Sequence, residues 1–380
     1  MTVLIALDSF KGSLSAREAC DALAAGIRSV SSADVTCMPI ADGGDGLIDC
    51  LSDTLLERGW ALCTAQALGP YGNPVQARYL LKQSEAVIEM AEVCGLNLVE
   101  PGKRHVVKSS TFGLGQVIAD AVRRGARQIR IGLGGSATND LGLGCMQALG
   151  VQFFDAEGKL MPKPIKASDL AKIADLSAET FKNEFGFLKI TAVCDVDNPL
   201  LGINGATNVF APQKGANAQE LSEMEESMTS AARVLSSYWG VEVGNKKGAG
   251  AAGGMGAALM WFFKAQVLLG IESVLDTLEF NQVLNKVRFV ITGEGSFDAQ
   301  SLSGKAPYGV LKRALAQKKS VTLVAGRIRS GADELRQLGF DAAYELRSFA
   351  ESDADSMRRS RELIFEVGRR WTKDFKIHSI

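Results

Sequence analysis

Val3-Leu4-Ile5-Ala6-Leu7-Asp8-Ser9-Phe10-Lys11-Gly12-Ser13 opens the chain with an unbroken apolar run that ends on a polar, glycine-bearing turn. Such a run predicts a strand buried on both faces of a parallel sheet. Ser15 and Glu18 then make a capping box, and Ala19, Leu23 and Ile27 recur at helical spacing, so a helix follows. A second strand over 35–40 meets Asp42-Gly43-Gly44-Asp45-Gly46, and a second helix runs to Glu57. Strand, helix, strand, helix in this order predicts a parallel α/β sheet.

Outward from this unit the pattern changes. Segments at 61–68, 75–82 and 85–90 alternate and are separated only by Gly69-Pro70-Tyr71-Gly72-Asn73 and Lys82-Gln83-Ser84. Those spacings cannot hold crossover helices, which predicts antiparallel pairing. A helix over 113–124, a strand over 128–133, a helix over 140–149 and a strand over 188–194 restore the α/β rhythm, followed by helices near 217–238 and 253–264. From Arg288 onward, strand and helix alternate again to a final helix from Asp353. The expected fold is α/β: a doubly wound parallel-sheet domain built from 1–63 and 289–380, a mixed α/β domain inserted at 64–288, and an active site in the cleft between them.

Composition narrows the function. The 380 residues are 46% hydrophobic and 22% charged, which describes a globular chain. Forty-two basic and 43 acidic groups leave a formal charge of −1, so no broad electrostatic footprint exists for nucleic acid or a membrane surface. The 7 cysteines are scattered without a Cys-x-x-Cys pair, pointing to a reducing, cytoplasmic compartment. Only His105 and His378 are present, which rules out a multi-histidine metal site. Val3 to Leu7 meets Asp8 at once, unlike a secretory leader, and the apolar run at 248–263 is short for a membrane span of roughly 20 residues.

Chemistry concentrates where predicted strands end. Besides Asp8 to Ser13 and Asp42 to Gly46, these places are Gly134-Gly135-Ser136-Ala137-Thr138-Asn139-Asp140, Cys194-Asp195-Val196-Asp197-Asn198 and Gly293-Glu294-Gly295-Ser296-Phe297-Asp298. Glycine lets backbone approach a ligand, while hydroxyls, carboxylates and N–H groups suit phosphate oxygens and Mg²⁺. The combination points to phosphoryl transfer. Gly132-Leu133-Gly134-Gly135-Ser136-Ala137 also satisfies a dinucleotide fingerprint, with Asp155 as its acid, so an NAD-dependent dehydrogenase is the competing enzyme. Gly248-Ala249-Gly250-Ala251-Ala252-Gly253 matches the same pattern without a leading strand and reads as a packing segment. A Walker A loop is absent, since Gly304-Lys305-Ala306 lacks the preceding glycine and the following hydroxyl.

These residues together, with Asn204-Gly205-Ala206-Thr207, Phe210-Ala211-Pro212-Gln213-Lys214-Gly215 and Ser303-Gly304-Lys305, resemble the bacterial glycerate kinase family over essentially the whole chain. The resemblance implies ATP- and Mg²⁺-dependent phosphorylation of D-glycerate to 2-phosphoglycerate, in glyoxylate and sugar-acid breakdown. It also implies a flavodoxin-like domain carrying an inserted α/β domain. Phosphorylation at the 3-hydroxyl remains an alternative outcome, and oligomeric state, a homo-oligomer included, is left open. On this reading Gly134, Gly135, Ser136, Thr138, Asn139, Asp298 and Lys305 bind the nucleotide, with Lys305 or Lys11 on its phosphates. Asp42 and Asp45 hold Mg²⁺. Asp195, Lys11, Asp42 and Glu294 are the catalytic candidates, and Asp195 is preferred as the base.

Overall fold

The structure, a computed structural model, describes residues 2–10, 12–41, 43, 46–298, 301 and 305–376. In chain order its strands are β1 (Thr2–Leu7), β2 (Asp34–Cys37), β3 (Ala61–Leu68), β4 (Pro74–Lys82), β5 (Glu85–Glu89), β6 (Gln128–Gly132), β7 (Gln152–Phe154), β8 (Asp175–Ser177), β9 (Lys189–Cys194), β10 (Gln266–Leu269), β11 (Phe289–Phe297), β12 (Ser320–Ile328) and β13 (Ala342–Glu345). The chain divides into two compact units: Met1–Asp42, Asp49–Leu55 and Gly270–Ile380 form the first, and Gly43–Ile48 with Leu56–Leu269 the second.

The first unit is built on a five-stranded sheet ordered β13-β12-β11-β1-β2, parallel throughout. β1 lies inside it, and Val3 to Leu7 are fully buried, as the unbroken apolar run requires. Val3, Ile5 and Leu7 pack under the helices Ala16–Arg28 and Ser360–Asp374 through Ala19, Leu23, Ile27, Ile364, Val367 and Trp371. Ser15 caps the first of these helices through Glu18 N, with Glu18 closing the box on Ser15 N at 2.9 Å.

The second unit carries a six-stranded mixed sheet ordered β10-β9-β6-β5-β4-β3. β3, β4 and β5 pair antiparallel through the short turns, and β5, β6, β9 and β10 run parallel. β7 and β8 form a separate antiparallel pair. The core beneath the sheet is apolar and continuous, from Tyr79, Ile88 and Ile131 to Phe153, Phe181 and Trp261. β10, β13 and the helix Gly270–Thr277 carry no marked pattern in the sequence; their short segments take their form from the neighbours they pair or pack with. No helix among the described residues is long and apolar enough to cross a membrane.

Candidate active site

In the first unit, Leu7, Gly293 and Val324 stand side by side in register; β1 ends there, while β11 and β12 stay paired to Phe297 and Ile328, so Glu294 and Ser296 lie within β11 and not past its end as the sequence suggested. Asp8 N donates to Gly293 O at 2.9 Å and ties the turn after β1 to β11. A cavity of about 380 Å³ opens here, lined by Asp8, Ser9, Glu294, Ser296, Lys305 and Arg329 among others. Glu294 is 7% exposed, and Lys305 Nζ lies 3.7 Å from its Oε2. Lys305 is the N-cap residue of the helix Ala306–Ala316, whose free amides and dipole also favour negative charge. On the cavity wall Arg327 pairs with Asp353 at 2.5 Å, and Asp353 also pairs with Arg347 at 3.2 Å. Cations, hydroxyls and carboxylates therefore meet in a space large enough for a small anion. Such a set can hold anionic oxygens and accept a proton.

The polar cluster of the second unit is buried. Glu89, Gly132 and Val193 are aligned across β5, β6 and β9, which brings the turns after these strands to one edge. Glu89 accepts Gly46 N at 2.7 Å and Ile48 N at 2.9 Å, fixing the end of the 42–46 segment at that edge. The turn after β6 is anchored by Leu96 N donating to Gly135 O at 2.8 Å and Ala137 N to Cys94 O at 2.7 Å. Asp140, fully buried, accepts Thr111 N at 2.7 Å, Thr111 Oγ1 at 2.8 Å, and Gly142 N and Gly144 N at 3.2 Å each. Burial pushes its carboxyl above the ordinary range, and these four bonds pull it back. Asn139 Nδ2 donates to Thr207 Oγ1 at 3.1 Å. Lys214 lies beneath the turn, donating to Ser136 Oγ at 2.9 Å and Thr138 O at 2.8 Å.

Residues 251–254 close the back of this turn. Ala252, Gly253 and Gly254 take left-handed backbone with φ of 53, 69 and 90°. A Cβ on Gly253 would lie 2.1 Å from Thr138 O and 2.6 Å from Asn139 Cα, so only glycine fits. Leu141 N donates to Gly253 O at 3.1 Å, completing the clamp. The segment read from sequence as packing is thus a backbone brace for the polar turn.

A model of the glycerate kinase family matches residues 3–376. The chain belongs to the glycerate kinase family. A glycerate kinase from Halalkalibacterium halodurans is 38% identical over 372 residues, covering 97% of this chain and 96% of that protein. The glycerate 2-kinase of Escherichia coli is 38% identical over 349 residues, 91% of this chain and 90% of its own. A crystal structure of a provisionally assigned glycerate kinase 2 from Salmonella typhimurium LT2 superimposes with a TM-score of 0.85 at 35% identity, covering 99% of this chain and 98% of that one. This glycerate kinase family member is therefore a phosphotransferase of mixed α/β fold, and membership implies ATP as phosphoryl donor.

Within the family frame, the candidates read from sequence fall into three groups. Gly134, Gly135, Ser136, Thr138 and Asn139 form the buried turn of the second unit. Glu294 and Lys305 stand together in the first-unit cavity, and Asp298 caps a short turn by donating its N–H to Ser301 Oγ at 3.1 Å. Asp195 is exposed just past β9, on the strand edge shared with the Gly134 turn. Lys11, Asp42 and Asp45 lie outside the described residues. The dinucleotide alternative asks for Asp155 at the end of a parallel neighbour of β6. The neighbours of β6 are β5 and β9, and Asp155 instead accepts Glu157 N and Lys159 N in a tight turn.

Sequence reasoning missed Glu89, Thr111 and Lys214 as parts of the polar network, and Arg329 in the cavity; Asp140 stood in the polar segment read from sequence but without a role of its own. Glu89 carried a readable signal, an acid ending a buried apolar strand. Lys214 stood in the Phe210–Gly215 stretch that carries the resemblance, but nothing local marked its burial, because a lysine before glycine reads as a solvated turn while here it is 2% exposed.

Proposed function

We propose that the protein transfers the γ-phosphoryl group of ATP to the 2-hydroxyl of D-glycerate, giving 2-phosphoglycerate and ADP. The observation that carries the reading is the first-unit cavity in which Lys305 faces Glu294 beside Ser9, Ser296 and Arg329. Phosphoryl transfer asks for positioning and charge neutralisation more than for covalent chemistry, and such a set offers both. In this reading Lys305, or Lys11, takes the phosphates, and the Gly134–Gly135–Ser136 turn with Thr138 and Asn139 presents donors to the nucleotide. As the substrate oxygen bonds to the γ-phosphorus, the bridging P–O bond to ADP breaks. The hydroxyl proton passes to a carboxylate among Asp42, Asp45, Asp195 and Glu294, with Asp195 preferred. Donor and acceptor must touch, so the reading requires both polar edges to serve a common cleft during turnover.

Mg²⁺ would be held by Asp42 and Asp45, completed by phosphate oxygens and water, and would neutralise charge on the transferred group. The donor chemistry suits it: a hard cation prefers oxygen, and Asp8 and Glu294 line the first-unit cavity with carboxylates of the same kind. We further propose that the first unit is a doubly wound, flavodoxin-like domain, supported by the order β2-β1-β11-β12-β13, and that the second is an inserted domain. A cytoplasmic role in glyoxylate and sugar-acid breakdown fits the family and the 7 unpaired cysteines.

The test is phosphorus NMR of the product formed from ATP and D-glycerate. A 2-phosphoglycerate signal supports the reading; 3-phosphoglycerate moves the accepting hydroxyl, and NADH oxidation without ADP release would overturn it. Asp195→Asn is expected to lower kcat far more than it raises KM for glycerate. An unchanged kcat would move the base to another carboxylate.

A further inference from the structure

Lys214 is an anomaly that phosphoryl transfer has not absorbed. It ends the short helical turn Pro212–Lys214 and is almost entirely buried. Among the described residues no carboxylate forms an ion pair with it; its two hydrogen bonds go to neutral oxygens, Ser136 Oγ and Thr138 O. An ammonium without a counter-ion is costly to bury, so its retention needs a reason. Desolvation lowers its pKa to about 7, with Asp140 opposing that shift. Both of its acceptors belong to the turn that holds two further atoms without partners, Thr138 Oγ1 and Asn139 Oδ1, on residues that are 0% exposed. The carbonyl that receives Lys214 is also the one against which Gly253 presses.

We infer that Lys214 is a positioning residue: by donating to Ser136 Oγ and Thr138 O it turns the Ser136 hydroxyl proton toward ligand and sets the turn as a donor site for an anionic phosphate oxygen. A hydroxyl has one proton and two lone pairs, so an oxygen that accepts from lysine is left to donate elsewhere. Thr207 acts on the opposite flank, receiving the Asn139 amide N–H and thereby defining which end of that side chain stays unpaired. The buried amine thus acts on the nucleotide through Ser136 rather than by touching it. This inference rests on the reading of the 134–139 turn as a nucleotide site.

The experiment compares Lys214→Met, Ser136→Ala and the double variant in ADP-release kinetics, with KM for ATP and for D-glycerate measured separately and thermal melting followed in parallel. Lys214→Met and Ser136→Ala are each expected to raise KM for ATP about tenfold or more, with KM for glycerate within about twofold. The double variant is expected to be no worse than either alone, because one interaction relays the other. Lys214→Gln, which keeps an uncharged donor, is expected to recover part of the loss. Additive effects, or a fall in melting temperature with both KM values unchanged, would make Lys214 a structural strut and overturn the inference. The same holds if neither Lys214→Met nor Lys214→Gln folds. If Ser136→Ala alone changes nothing, the nucleotide reading of the turn fails first and the positioning role goes with it. A Ser136→Ala effect without a Lys214 effect rejects only the role of Lys214.

Discussion

The two polar edges solve one problem in opposite ways. In the first unit, paired charges border an open cavity: Lys305 with Glu294, and Arg327 with Asp353, which also holds Arg347. In the second, Asp140, Thr138, Asn139 and Lys214 are shut away from water; Asp140 and Lys214 are held by backbone and hydroxyls, while Thr138 Oγ1 and Asn139 Oδ1 stay without partners. Wet charges can rearrange around a reacting group at small cost, whereas a dry network holds one geometry and is expensive to disturb. Mutations in the first should therefore act on rate, and mutations in the second on stability and binding.

The sharpest way to break this contrast is Glu294→Gln. If the cavity carries the chemistry, kcat should fall about 10²- to 10⁴-fold with the melting temperature nearly unchanged, as read by ADP release and calorimetry. A large stability loss with intact kcat would reverse the assignment. Asp140→Ala comes next. It strips the acceptor from Thr111 N, Thr111 Oγ1, Gly142 N and Gly144 N, and should cost about 3–5 kcal/mol by denaturant titration.

Gly253→Ala tests the brace. Its φ of 69° and the 2.1 Å approach to Thr138 O predict a loss of about 2 kcal/mol or more, with a raised KM for ATP in whatever folds. Gly46→Ala, where a Cβ meets nothing within 4 Å, isolates the backbone strain of positive φ alone and should cost about 1 kcal/mol.

The last effect is a slope. Lys214 has its folded pKa lowered from 10.5 to about 7, so between these values the unfolded chain binds more protons than the folded one. Stability from this residue must then rise with pH across that window, by at most about 1.4 kcal/mol per unit, and level off above it. Lys214→Met should flatten that rise in urea melts from pH 7 to 10, while wild-type and variant slopes that coincide would show that Lys214 does not titrate in the window.

The parallel sheet around β1, the antiparallel β3–β5 and the amphipathic helices were all legible, because periodicity and turn spacing are local properties written into consecutive residues. The same holds for the strand-end location of Gly134 to Asn139, whereas Glu294, expected past a strand end, lies inside β11, because the strand runs on to Phe297 in register with β12. The two Thr111 donors on Asp140 and the burial of Lys214 against Ser136 and Thr138 join residues far apart in the chain, and no local pattern marks them. Asp155 makes the point from the other side: its spacing after Gly132 matched a dinucleotide site, yet strand order sent it to a surface turn. Sequence by itself determined which segments could bear chemistry, since glycine and polar residues at strand ends are chemically explicit. Tertiary structure alone decided which of them are dry, which are paired and which brace the others, because burial and electrostatic partnership exist only once distant segments are packed together.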